Sequence, residues 1–254
     1  MARQRRHTRP KRRRGRLSGL YKVLSVLLVA AAVAVACVVF FRVNEAEVSG
    51  NVRYTAEEII EASGVLKGDN LITLSRSRVS AAICTKLPYV ENVSIKKVLP
   101  DRLVFRVTER VAAASVASVE GRWLISAHGK LLEEDDGAAG VLTVNGLTAI
   151  VPYPGGMLQV SGEEAATLGY VTQLLTQLES HGWLEQCTAL DCTAAASMTL
   201  SYGIYQVKLP RGGDYGYYLS LTESALASGS IPEDVGGLLD LTVVEGKVYY
   251  RPGG

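Results

Sequence analysis

The chain has 254 residues, 48% hydrophobic and 20% charged, with a formal net charge of +2 and four cysteines. The charge is unevenly placed. Ten of the 27 Lys and Arg fall in residues 1–22, which hold no acid, so against 25 acids overall residues 23–254 carry −8. The basic sum therefore says nothing about the larger part of the chain, and so few cysteines exclude a disulfide-dense scaffold.

The N-terminal tail includes the run Lys11-Arg12-Arg13-Arg14. It reads as a solvated topology determinant rather than a nucleic-acid or lipid patch, and positions 1–19 are expected to be disordered. Val23 to Phe41 follows, nineteen residues without a charge and with Ser25 as the one polar side chain. At a rise of ~1.5 Å per residue these span ~28 Å, close to the ~30 Å hydrocarbon core of a bilayer. Cationic flanks stay on the cytoplasmic side, so the reading is N-terminus in, one span, and the remainder outside the cytoplasm. Three alternatives compete. Ala34-Val35-Ala36 is a weak signal-peptidase site, but the apolar run continues past it. Ala34-Val35-Ala36-Cys37 loosely matches a lipoprotein site, yet bulky apolar residues follow Cys37 where a polar tether belongs. A buried core helix is rarely apolar all round behind so basic a tail.

After the span, Val43 to Ser49 reads as a strand and Gly50-Asn51 as a turn. Thr55-Ala56-Glu57-Glu58 is a capping box opening a helix that carries Ile59, Ile60 and Ala62 and stops at Gly64. A second helix starts near Ser75, places Val79, Ala82, Ile83 and Leu87 at helical spacing, and is limited by Pro88. Val90 to Leu99 and Arg102 to Arg110 read as strands joined by Pro100-Asp101. In the latter, Leu103, Phe105 and Val107 alternate with Arg102, Arg106 and Thr108, giving one buried and one wet face.

That order, directly behind a single span, resembles the POTRA module. Val48-Ser49-Gly50-Asn51 before the capped helix, Leu87-Pro88-Tyr89-Val90-Glu91-Asn92-Val93, Leu99-Pro100-Asp101-Arg102-Leu103 and Val107-Thr108-Glu109-Arg110 carry the resemblance. Together with the basic tail they look like the FtsQ/DivIB family of bacterial cell-division proteins. The likeness extends through Trp123 to Leu132, read as a hairpin turning at His128-Gly129, although Ser126-Ala127 stands where the family usually has an acid. It continues to Leu239-Asp240-Leu241-Thr242 and Tyr249-Tyr250-Arg251-Pro252, covering roughly residues 20–252.

Between these points come Val141 to Val144, the Pro152-Tyr153-Pro154-Gly155-Gly156 loop, and a second capping box at Ser161-Gly162-Glu163-Glu164. That box should open a helix with Leu168, Val171, Leu175 and Leu178 inward, closed near Gly182. Strands are expected over Leu184 to Leu190, Ser197 to Leu200 and Ile204 to Leu209, then a helix around Tyr217 to Leu226. Two last strands, Leu239 to Val244 and Lys247 to Arg251, should turn at Glu245-Gly246. The resulting fold class is α+β: one N-terminal transmembrane helix, a β-α-α-β-β POTRA domain, and a mixed domain with a mainly antiparallel sheet. The expected organisation is a cytoplasmic tail over 1–22, a span over 23–41, a POTRA domain over 42–111 and a C-terminal β domain over 112–254.

Chemistry is sparse. Ser126, His128 and Asp135-Asp136 are the residue types of a hydrolase, but no G-x-S-x-G elbow accompanies them. Gly155-Gly156 and Gly212-Gly213 are too isolated for a phosphate loop, and the five tyrosines from Tyr202 to Tyr218 fit strand propensity before glycan binding. Cys84 reads as a small buried apolar residue. Cys187 and Cys192 are either a local disulfide or two reduced residues on strand and turn, and the three histidines do not cluster with them into a metal site. No catalytic residue, metal or cofactor is expected.

The resemblance implies a non-catalytic scaffold at the division septum. Its implied partners are membrane proteins of the FtsL and FtsB/DivIC type and, through them, the septal peptidoglycan synthase, with no nucleic acid. Strand addition to a free sheet edge is the expected mode. The candidate edge is the last strand, Lys247, Val248, Tyr249, Tyr250 and Arg251, with Val243 and Val244 on its neighbour. Val248 and Tyr250 should share one face, and a proline at Tyr249 is the expected blocking change. The alternatives are a membrane-anchored peptidoglycan binder or a POTRA-type secretion chaperone, although no run of barrel strands follows.

Overall fold

The structure is a computed structural model that describes residues 17–232 and 234–253. Most of the basic tail, residues 1–16, lies outside the described residues, and so does the disorder expected there, whereas Leu17, Ser18 and Gly19, also expected to be disordered, are helical and lead into the apolar run. Helix α1 (Leu17–Phe40) is, among the described residues, the one helix long and apolar enough to cross a membrane.

The next seventy residues build a three-stranded sheet backed by two helices: β1 (Glu45–Ser49), α2 (Ala56–Ser63), α3 (Arg76–Lys86), β2 (Val90–Val98) and β3 (Arg102–Glu109). Strand order is β1-β3-β2, with β1 parallel and β2 antiparallel to the central β3. The local signals act as read. Thr55 accepts from the Glu58 amide while Glu58 accepts from the Thr55 amide and hydroxyl, bonds that hold the Glu58 carboxyl below its ordinary range. Gly64 closes α2 at φ 68°. Ser75 caps α3, and Leu87, forced out of the helical region by Pro88, ends it. Gly50 sits at φ 84° with the Val107 carbonyl where a β-carbon would stand, so only glycine allows this turn against β3. Ile59, Leu71, Ile83, Val90, Leu103 and Phe105 form the fully buried centre of this unit.

The second unit is a nine-stranded sheet in the order β12-β11-β10-β9-β8-β7-β4-β5-β6. Its strands are β4 (Ala114–Ser118), β5 (Arg122–Ile125), β6 (Leu131–Glu134), β7 (Leu142–Ala149), β8 (Cys187–Asp191), β9 (Ser197–Tyr202), β10 (Tyr205–Pro210), β11 (Gly237–Asp240) and β12 (Tyr249–Pro252). Five of the eight pairings are antiparallel; β4·β7, β7·β8 and β10·β11 are parallel. Helix α4 (Ala165–His181) makes the crossover from β7 to β8, and α5 (Tyr215–Ala227) that from β10 to β11. The two helices pack together, and their inward residues share one core with Val144, Leu190, Leu200, Val207 and Leu239 of the sheet.

Several expected boundaries move, each for a local reason. The box at Ser161–Glu164 does not form: Glu164 makes no side-chain cap, because its carboxylate accepts the Thr148 amide at the end of β7. Leu168 is half-buried and Leu174 takes the fully buried place on α4. Leu184–Gln186 is a 3₁₀ turn, so β8 begins three residues later than expected, beside Trp183 stacked on Tyr202 at 4.2 Å. Strand β11 ends at Asp240, four residues before Val244. Cys187 and Cys192 are free buried thiols on and just beyond β8, each pushed up to about 12 by burial.

The two units meet at a polar latch. Tyr89 donates to Glu133 at 2.6 Å, and Arg53 pairs with the same carboxylate at 2.9 Å while stacking over the Tyr89 ring at 3.9 Å. Lys130 donates to the Cys84 carbonyl at 3.1 Å, and Tyr89, Leu124 and Leu132 form a small buried cluster beneath.

Candidate partner-binding edge

Strand β12 is the last strand of the nine-stranded sheet, and among the described residues nothing pairs with its outer flank. Its inner flank is fixed by an antiparallel register to β11: Gly237 opposite Pro252, Leu238 opposite Arg251, Leu239 opposite Tyr250 and Asp240 opposite Tyr249. The Gly253 amide donates to the Gly236 carbonyl at 2.8 Å. An antiparallel ladder alternates bonded and non-bonded pairs. The main-chain groups of Tyr249, Arg251 and Gly253 therefore face β11, and those of Tyr250 and Pro252 face outward. The Arg251 carbonyl lies against Gly237, as this phase requires. Pro252 has no N–H to offer, so within β12 the outward set is the Tyr250 N–H and C=O and the Pro252 C=O.

Side chains follow the expected alternation. Val248 and Tyr250 pack on the sheet core, and the Tyr250 hydroxyl donates to the Val235 carbonyl at 2.9 Å. Tyr249 and Arg251 are exposed on the opposite face. There Arg251 and Leu238 border a cleft of about 510 Å³ floored by Gly236 and Gly237. A β-carbon on Gly236 would come within 2.6 Å of the Ile204 carbonyl, so the glycine keeps the β10–β11 approach close.

Val243 and Val244 are displaced from the strand next to β12 into the exposed turn that precedes it. The cause is Asp240. Its carboxylate accepts from the Thr242 amide at 2.9 Å and the Thr242 hydroxyl at 2.6 Å, which folds the chain into an Asx turn. The Leu241 amide meanwhile bonds the Lys208 carbonyl on β10. Burial pushes the Asp240 carboxyl up; the two Thr242 bonds and the Lys208 ammonium at 3.6 Å outweigh it and hold the group below its ordinary range. Lys247 and Val248 also precede β12, with the turn closed by the Lys247 amide on the Val244 carbonyl and Gly246 at φ 75°. Sequence reasoning omitted Pro252, although a proline at a strand end is itself an edge signal, and omitted the Asp240-x-Thr242 lock.

The other edges are less available. At β6 the Leu131 amide and carbonyl are taken by Gly156 and Gly155, and Glu133 is held in the latch. At β2 the Val93 carbonyl accepts from Ser80. Strand β1 carries Glu45 and Glu47, both paired with Arg102, and charged short edges discourage pairing. The residues with hydrolase chemistry are engaged separately: the Ser126 hydroxyl accepts the Lys130 amide, Asp135 accepts from Ser115, and His128 is exposed.

Residues 41–110 match the FtsQ-type POTRA domain family. The chain is 27% identical over 124 residues to the cell division protein FtsQ of Corynebacterium glutamicum, covering 49% of this chain and 55% of that protein. It is 30% identical over 135 residues to the FtsQ of Syntrophotalea carbinolica, covering 49% and 47%. It is 34% identical over 94 residues to the cell division protein DivIB of Clostridium acetobutylicum, covering 37% of each. The chain thus spans about half the length, or less, of these relatives. With a β-α-α-β-β unit placed directly after an apolar helix, the chain carries an FtsQ-type POTRA domain and is similar to FtsQ and DivIB cell-division proteins.

Proposed function

We propose that the chain is a membrane-anchored scaffold of bacterial cell division. In this reading residues 1–22 are the cytoplasmic tail, 23–41 the span, 42–111 the POTRA domain and 112–254 the partner-binding domain, both domains lying outside the cytoplasm at the septum. Its work is capture rather than catalysis. A strand of a small single-pass division protein, of the FtsL or FtsB/DivIC type, adds to β12, and the septal peptidoglycan synthase is reached through that partner. The observation that carries this reading is the outer flank of β12, unpaired among the described residues, with the Tyr250 N–H and C=O and the Pro252 C=O directed outward on a strand whose other flank is bonded to the sheet. Natural sheets seldom leave such an edge bare, and an added strand satisfies it with main-chain bonds while pockets on the two faces read alternate side chains.

Two experiments test this. A fluorophore fused to the N-terminus should give a mid-cell band in dividing cells. Affinity capture from the extracytoplasmic side should return small single-pass division proteins with the intact chain and lose them with a chain stopped after Gly246. Recovery of glycan or unfolded envelope proteins instead would replace the scaffold with the cell-wall or chaperone reading.

A further inference from the structure

The span is continuous with a loop of the POTRA unit. The chain leaving α1 forms a short antiparallel ladder with residues 68–71. The Leu71 amide donates to the Phe41 carbonyl at 2.9 Å, the Val43 amide to the Asp69 carbonyl at 2.8 Å, and the Gly68 amide to the Val43 carbonyl at 2.8 Å. Arg42 pairs with Asn70 in the same ladder. Asn70 reaches further down. Its side-chain amide donates to the Val38 carbonyl at 3.1 Å and the Cys37 carbonyl at 3.4 Å, capping the last turn of α1. Cys37 and Val38 precede the end of the apolar run at Phe41 by four and three residues, which at ~1.5 Å per residue is ~5–6 Å below it. A loop that bonds carbonyls at that depth cannot stand clear of the surface α1 crosses.

The side chains beside Asn70 match that position. Ile72 is 53% exposed and Leu66 70% exposed, two large aliphatic groups on one short loop that the described residues leave uncovered. The loop is not free to fold them inward, because the Asn70 carboxamide oxygen accepts the Ile72 and Thr73 amides. Lys97 on β2 also donates to the Ile72 and Leu74 carbonyls. The β2–β3 turn contributes a third aliphatic group, Leu99, at 58% exposed. That turn is tied to the same exit segment by the Asn44 amide on the Asp101 carbonyl at 2.9 Å.

We infer that Leu66, Ile72 and Leu99 form an apolar rim that seats the POTRA unit in the outer interface of the bilayer, fixing its tilt relative to the span. The partner is the lipid surface itself. Of the cations here, Lys97 is engaged by the Ile72 and Leu74 carbonyls, and Arg42 and Lys67 stand against Asp69 and Asp101, so the three aliphatic groups and not a strong cationic patch carry the seating. The inference rests on α1 crossing the membrane.

The test uses the full chain in phosphatidylcholine nanodiscs containing lipids brominated at shallow or deep acyl positions, with a tryptophan introduced at one site at a time. Trp123 and Trp183, both buried in the second core, supply a constant background. Val33→Trp, in mid-span, reports the span; Val119→Trp, on the far unit and 90% exposed, reports free solvent. Ile72→Trp and Leu66→Trp should be quenched by shallow bromines, at least twofold more than Val119→Trp, and less by deep ones. Adding Asn70→Ala should reduce that quenching. If Val33→Trp is quenched while Ile72→Trp and Leu66→Trp behave like Val119→Trp, the rim is not in the bilayer and the inference fails. A blue shift at Ile72→Trp without bromine quenching means that protein covers it, a second copy or another span, and overturns it equally. Absence of quenching at Val33→Trp removes the span and the inference with it.

Discussion

Replacing Tyr250 with proline acts on the outer flank of β12 and should spare the inner one. The Tyr250 N–H is the one outward donor within β12, and the Tyr250 and Pro252 carbonyls are the outward acceptors. A net main-chain bond contributes about 1 kcal/mol. The pyrrolidine ring deletes the donor and sits in the path of an added strand, so the two acceptor bonds are also lost. The total, about 3 kcal/mol, corresponds to roughly a hundredfold in affinity. Tyr250→Ala is the control. It removes the ring and the bond to the Val235 carbonyl but keeps the outward N–H, and should weaken capture by less. Tyr249→Pro, the change suggested by sequence alone, is different in kind: its amide faces Asp240, so it strips β12 from β11. Biolayer interferometry on the captured partner's extracytoplasmic segment gives the affinities, and hydrogen exchange at the Leu238 amide reports the β11–β12 ladder. Tyr250→Pro should lose capture with Leu238 still protected; Tyr249→Pro should lose both. Full capture by Tyr250→Pro, or by a chain stopped after Gly246, would refute strand addition at this edge.

Protease added outside intact spheroplasts should remove the segment after Arg42, whereas replacing most arginines before Lys22 with Glu should disturb that orientation; protection of the segment would contradict the N-in topology. Phe105 is fully buried at the centre of β3, between Val48 and Ile95, so Phe105→Ala should cost about 3–5 kcal/mol, read as a lowered denaturation midpoint in urea. Asp240→Ala removes both hydrogen bonds from Thr242 to the buried Asp240 carboxylate and should cost about 1–3 kcal/mol, with faster exchange along β11 as the readout. Because the folded Asp240 carboxyl titrates below its unfolded value near ~3.9, its contribution is complete above that value and fades as pH falls through the lower folded one. Acid titration of edge protection should show that loss in the unsubstituted chain and not in Asp240→Asn.

The sequence determined what depends on neighbours along the chain. The capping box at Thr55–Glu58, the stop at Gly64 and the break at Pro88 satisfy or forbid main-chain bonds within a few residues, so α2 and α3 were legible. The alternation of Leu103, Phe105 and Val107 did the same for β3, and the charge-free stretch after Lys22 for α1. What failed was set by distant partners. Glu164 left its expected cap for the Thr148 amide, β11 stopped where Asp240 bonds Thr242 and Leu241 bonds Lys208, and Trp183 found Tyr202 across the sheet. Tertiary structure alone decided that β12 is terminal, because strand order depends on the two crossovers through α4 and α5 and not on position in the chain. It also decided the phase of the β11–β12 ladder. Side-chain alternation can be read from Val248, Tyr249, Tyr250 and Arg251, but which main-chain groups face outward depends on which residue of β11 stands opposite each. A shift of one residue would exchange the roles of Tyr249 and Tyr250.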